Sequence, residues 1–135
     1  MILVDTSVWI DHLRTGEPLL ARALESGRVL MHPFVVGELA CGNLEQRDEV
    51  LRLLGDLPAA PTATDQEVLE LIERRALMGR GIGYIDVHLL ASTALAADAR
   101  IWTRDRRLAR VAAEQELAFE EEGEGRTHIE NTQDT

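Results

Sequence analysis

Lysine is absent from this chain of 135 residues; all 14 basic residues are Arg. A Walker-type phosphate loop and a Schiff-base enzyme both need a Lys, so both lose their support. A receiver-type α/β fold, which also relies on a Lys, is disfavoured for the same reason. Cysteine is nearly absent too. Cys41 alone excludes an internal disulfide framework and a Cys-rich zinc site. It reads as a buried, inert thiol, and with no disulfide to protect, a reducing cytoplasm is the expected compartment. No apolar run approaches the about 20 residues of a membrane span. Ile2-Leu3-Val4 is cut short by Asp5 without a basic start, so it does not read as a signal peptide. Aromatic residues are scarce at 4%, which favours Trp9 and Trp102 as core residues over base-stacking platforms.

Hydrophobic residues make up 45% of the chain, enough for one real core. The net charge is −10 and unevenly placed. Residues 114–135 carry eight acids against Arg126 alone, a balance of −7, which leaves −3 for residues 1–113. The expected organisation is one domain over 1–120 and a mobile acidic tail over 121–135. A negative chain attracts phosphates poorly. Phosphate chemistry here needs a bound cation to reverse the local sign.

Short β-type runs alternate with helical patterns. Ile2 to Val4 and Arg28 to Met31 read as strands, as does Arg100 to Thr103. Shorter candidates lie at 59–63 and Leu117 to Phe119. Helices are expected after Asp5-Thr6-Ser7, over 17–26, from Pro33 to about Cys41, over 44–55, behind the capping box Thr64–Glu67, over 84–98 and over 105–113. Such alternation implies an α/β fold with a parallel sheet covered on both faces.

Three carboxylates stand in unusual surroundings. Asp5, Glu38 and Asp86 sit among core-forming residues with no other formal charge within three positions. A carboxylate in such company is costly unless something pairs with it. Asp5 falls where a strand meets a helix, Asp86 in the first turn of an apolar helix, and Asp105 just after the strand Ile101-Trp102-Thr103. Parallel strands bring their carboxyl ends to one edge, where ligands bind. If Glu38 and Asp86 point to that edge, four acids meet. Their mutual repulsion would be relieved by a hard divalent cation such as Mg²⁺ or Mn²⁺. Such a cation supports hydrolysis of a phosphodiester. Plainer roles exist for each acid: helix caps for Asp5 and Asp86, an Arg partner for Glu38, a solvated turn for Asp105. Spacing alone leaves both accounts open.

Ile2-Leu3-Val4-Asp5-Thr6-Ser7, Val36-Gly37-Glu38-Leu39, Gly83-Tyr84-Ile85-Asp86-Val87-His88-Leu89-Leu90-Ala91 and Thr103-Arg104-Asp105 resemble the PIN-domain family. The resemblance spans about residues 1–119 and is closest to the VapC-type toxins of bacterial toxin–antitoxin pairs. It implies a three-layer α/β/α sandwich around a small parallel sheet and a Mg²⁺- or Mn²⁺-dependent endoribonuclease. Asp5, Asp86, Glu38 and Asp105 would hold the metal. Thr6, Ser7 and Thr103 match positions near that site. A homodimer is implied, as is a cognate antitoxin through which promoter DNA is bound indirectly; no membrane is involved.

Arg100, Arg104, Arg106, Arg107 and Arg110 crowd beside Asp105. They read either as phosphate contacts, with Arg104 the nearest, or as a solvated helix face. Arg80, in the Gly79–Gly83 loop, is open to the same two readings. His88 reads as packed or hydrogen-bonded rather than as a ligand. Two rivals remain. A haloacid-dehalogenase-like phosphatase would use Asp5 as nucleophile, but Ser7 stands where its second Asp belongs. A non-catalytic partner-binding module would keep the acids for structure only.

Overall fold

A computed structural model describes residues 1–121. The acidic tail beyond Glu121 lies outside the described residues. The chain runs through β1 (Ile2–Val4), α1 (Thr6–Thr15), α2 (Pro18–Glu25), β2 (Val29–Leu30), α3 (Pro33–Ala40), α4 (Arg47–Gly55), α5 (Asp65–Arg75), α6 (Tyr84–Leu95), β3 (Arg100–Trp102) and α7 (Arg106–Glu114).

The three strands form a parallel sheet in the order β2-β1-β3. Ile2, Leu3 and Val4 are all buried. Successive strand side chains point to opposite faces, so helices must cover the sheet on both. This is the expected α/β sandwich. Parallel strands need crossover connections; α1 and α2 supply the first, α3 to α6 the second. The interior is Val and Leu from the strands packed on Val8, Leu20, Val35, Leu89, Leu90 and Leu108.

The segments 59–63 and 117–119 contribute less than full strands. Ala59 bridges Met31 and Ala118 bridges Ile101, each as a single parallel contact on an outer edge. Both segments are too short to pair further before the next element begins. α6 stops at Leu95 rather than reaching 98, because the chain must turn through Asp98, with φ +59°, to feed Ala99 and β3. α4 begins at Arg47 rather than 44, behind Gln46 in a left-handed conformation. Cys41 is exposed, not buried. The buried face of α3 consists of Val35 and Leu39, one helical turn apart, and Cys41 lies past the helix end.

His32 caps α3. It is 1% exposed, and its Nδ1 accepts the Phe34 amide at 3.0 Å. Burial, then the neighbouring His88, holds its pKa below the ordinary 6.5. Protonation would place a hydrogen on the accepting nitrogen. In the window just below pH 6.5 the unfolded chain therefore binds more protons than the folded one, and stability falls with pH. Urea unfolding from pH 7.5 to 5.5 is expected to show a loss that His32→Asn, which keeps a capping acceptor, reduces. Equal losses in both proteins would refute this role.

Candidate active site

The site is built at the carboxyl ends of β1 and β3. Their register pairs Val4 with Trp102, and the Asp5 amide continues the ladder to the Trp102 carbonyl at 2.9 Å. Asp5 and Thr103 therefore emerge side by side. The Thr103 hydroxyl donates to Asp5 Oδ2 at 2.6 Å and the Ser7 hydroxyl to the same oxygen at 3.0 Å. The Thr6 amide donates to Oδ1 at 2.7 Å, so Asp5 also caps α1. Each of the two hydroxyls is oriented from behind: the Arg104 amide donates to Ser7 Oγ at 3.0 Å and the Asp105 amide to Thr103 Oγ1 at 3.1 Å.

The other acids are held just as firmly. Asp105 caps α7, its Oδ1 accepting the amides of Arg107 and Leu108 at 2.9 and 3.1 Å. Asp86, at the third position of α6, reaches back so that its Oδ2 accepts the Gly83 amide at 2.9 Å. Glu38 Oε1 accepts the Thr6 hydroxyl at 2.6 Å, which ties α3 to the start of α1. Capping and clustering are thus the same arrangement, not alternatives.

Burial, the largest influence, pushes the Asp86 carboxyl above the ordinary carboxylate range, and the charges of Asp5, Asp105 and Glu38 push it further; the Gly83 amide opposes them. Acids from three other parts of the fold thus act on Asp86. The site is more open than the apolar sequence context of these acids suggests. Asp5 is buried at 7%, Asp86 is half-buried, and Glu38 and Asp105 are exposed. Glu38 is exposed because Val35 and Leu39 turn the apolar side of α3 inward.

One oxygen each of Glu38, Asp86 and Asp105 makes no hydrogen bond among the described residues. No three acids among those residues stand close enough to enclose an ion unaided. This all-oxygen, solvent-open donor set suits a hard divalent cation that retains water in its shell. An open groove of about 710 Å³ runs from Glu38 along Ile10, Leu13, Leu39 and Val50.

Arg104, which the sequence left open to a phosphate contact or a solvated helix face, has its guanidinium already engaged. It pairs with Asp11 at 2.6 Å, Glu17 at 2.6 Å and Glu121 at 3.1 Å, and lies over the Trp102 ring. Glu121 also accepts the Trp102 indole N–H. Arg104 is therefore a clamp between the β3–α7 connection and α1. Its partners Asp11, Glu17 and Glu121 were invisible in the sequence, lying 17 to 93 positions away. His88 is buried and bonded to Asp65 at 3.1 Å, as expected of a packed histidine.

Acids beside the carboxyl ends of a small parallel sheet are the arrangement that the resemblance implies, and comparison with known proteins shows the family. The sequence model of the PIN domain matches residues 2–114. The chain belongs to the PIN-domain family. Two relatives place it with the VapC-type members: the proteins called Ribonuclease VapC32 from Mycobacterium tuberculosis strains CDC 1551 / Oshkosh and H37Rv. Each is 51% identical over 122 residues, covering 90% of this chain and 98% of the relative.

Arg104→Gln leaves three carboxylates facing one another beside the site. It is expected to lower unfolding free energy by about 1–2 kcal/mol, between the values for exposed and buried pairs. The difference should shrink in 1 M salt, where screening is short-ranged. Urea unfolding at both salt levels measures it, and an unchanged midpoint would show the clamp to be decorative.

Proposed function

We propose that this chain is a metal-dependent endoribonuclease, the toxin of a toxin–antitoxin pair, that hydrolyses RNA phosphodiester bonds. The observation that carries the reading is that Asp86 is half-buried within reach of three other carboxylates, Asp5, Asp105 and Glu38, with no cationic side chain among the described residues acting on it. Asp5, Glu38, Asp86 and Asp105 would hold Mg²⁺ or Mn²⁺. A cation held there neutralises phosphodiester charge and lowers the pKa of a water.

The chain's own residues supply position. Asp5 accepts three hydrogen bonds, so its carboxylate cannot rotate. The hydroxyl hydrogens of Ser7 and Thr103 are directed at Asp5, so these residues brace a carboxylate rather than act as nucleophiles. Thr6 does the same for Glu38. That bracing is the role we assign to the three hydroxyls in place of direct substrate contact. It also disfavours the phosphatase alternative, because Ser7 offers no second acid. A purely structural binding module gives no reason to gather four acids without a counter-charge.

The reading extends to a cognate antitoxin, a second copy of the chain, and promoter DNA reached only through the antitoxin. The relatives' VapC name supports the antitoxin, and the groove lined by Ile10, Leu13, Arg14, Glu38 and Gln46, part apolar and part polar, would seat one of its segments. Residues 1–120 would form the nuclease domain. No helix among the described residues is long and apolar enough to cross a membrane, in keeping with a cytoplasmic protein.

RNA incubated with the protein and Mn²⁺ or Mg²⁺ should be cut internally. Chelation should stop the reaction, and Asp5→Asn should slow it by more than about a hundredfold, the scale set by loss of a metal ligand or its support. Cleavage that survives both changes would reject the mechanism. A second readout needs no RNA. An ion that binds only the folded chain raises its melting temperature. Asp86→Asn removes the strained charge, so it should melt higher than the parent without metal and gain less on adding Mn²⁺. The opposite order would place the ion elsewhere.

A further inference from the structure

The five Arg residues near Asp105 have unequal surroundings. Arg104 is neutralised by three carboxylates. Arg100 bonds the Ala99 carbonyl at the start of β3, away from the strand ends that carry the acids. Arg110 acts on Glu114, one turn along α7. Arg106 is exposed at the helix start.

Arg107 differs from all of these. Its side chain lies flat across the backbone of Gly81. A Cβ built at Gly81 would sit 2.6 Å from Arg107 Cδ, 2.8 Å from its Nη1 and 3.1 Å from its Nε. A Cβ there would have to displace the flexible end of Arg107, and φ at Gly81 is +82°, a conformation that favours glycine. The loop beneath is itself fastened to α7 by a bidentate pair, Arg80 to Glu114 at 2.8 Å on both arms. The loop on which Arg107 rests is therefore tied to α7.

The seat adjoins two members of the acidic quartet. The Arg107 amide donates to Asp105 Oδ1, and two residues beyond Gly81 the Gly83 amide donates to Asp86 Oδ2. Among the described residues Arg107 makes no ion pair. An exposed guanidinium that is unpaired among the described residues and stands two positions along α7 from Asp105 is free to meet a phosphate. Its planar fork matches a phosphate.

We propose that Arg107, seated on Gly81, binds a backbone phosphate of the RNA strand lying across the Asp86–Asp105 side of the cleft. This rests on the nuclease reading above and adds a substrate-binding residue outside the acidic quartet. Arg107 draws a polyanion to a site whose four acids would otherwise repel it, and it sets where the strand crosses.

Fluorescence anisotropy of labelled single-stranded RNA tests this in the cleavage-deficient Asp5→Asn protein, with Mg²⁺ present and salt varied. Arg107→Gln should bind about tenfold more weakly, the loss typical of a hydrogen bond to a charged group. The slope of log affinity against log salt should fall by about 0.7, one phosphate contact on a single strand. Arg107→Lys should be intermediate. Arg74→Gln, a charge-matched change on α5, should stay within about twofold of the parent. In the otherwise native chain, Arg107→Gln should raise KM and leave kcat nearly unchanged. If Arg107→Gln and Arg74→Gln bind alike and the salt slope does not move, Arg107 is not a phosphate contact. If the unmodified protein cleaves no RNA with either metal, it is the nuclease reading that fails.

Discussion

Parallel pairing of β1 with β3 is the constraint on which the site depends. Both strands are three residues long, and neither would persist alone. Their burial between helices holds the register that sets Asp5 against Thr103. A slip of one residue would turn Thr103 to the opposite face of the sheet. It would break the bond to Asp5, move Asp105 away from the cleft and release the Arg104 clamp. Short strands leave little of the ladder to resist such a slip, which gives physical sense to the extra ties at their ends. The Asp5 amide extends the ladder, two hydroxyls grip the carboxylate, and Arg104 joins the strand exit to α1.

Four like charges in one cleft should destabilise the fold, and the architecture shows how this is tolerated. Asp5, Asp105 and Asp86 each take backbone amides at a helix N-terminus. The free N–H groups and the aligned peptide dipoles there favour negative charge. The fold thus offsets repulsion with capping, while burial and the neighbouring acids still hold the Asp86 carboxyl above the ordinary carboxylate range. The same capping orients the acids, so the features that keep the protein folded are those that prepare the site.

Much of this was readable in one dimension. The strands at Ile2, Val29 and Arg100, the helix starts behind Asp5, Pro33, Thr64 and Asp105, and the fold class all follow from local chemistry: apolar runs, caps and breakers. The acids were legible because their lack of charged neighbours is a property of the chain itself. Their degree of exposure was not. Apolar neighbours signal that a helix is buried on one face, and Glu38 lies on the other. Edge segments 59–63 and 117–119 looked like strands because pairing length depends on where the next element must begin. Arg104 and Arg107, three positions apart in one basic run, could not be told apart, because the partners of Arg104 come from α1, the connection behind it and the chain beyond α7.

The sequence alone determined the kinds of residue at each strand end, the helix caps, and the absence of any Lys. These are consequences of composition and of contacts within a few residues, which the linear order contains. Only the tertiary structure decided which acids act on Asp86, that the Thr6, Ser7 and Thr103 hydroxyls donate to carboxylates, and which arginine is neutralised. Charges and hydrogen bonds act over a few ångströms of space, and the folded path of the chain, not distance along it, sets which groups come that close.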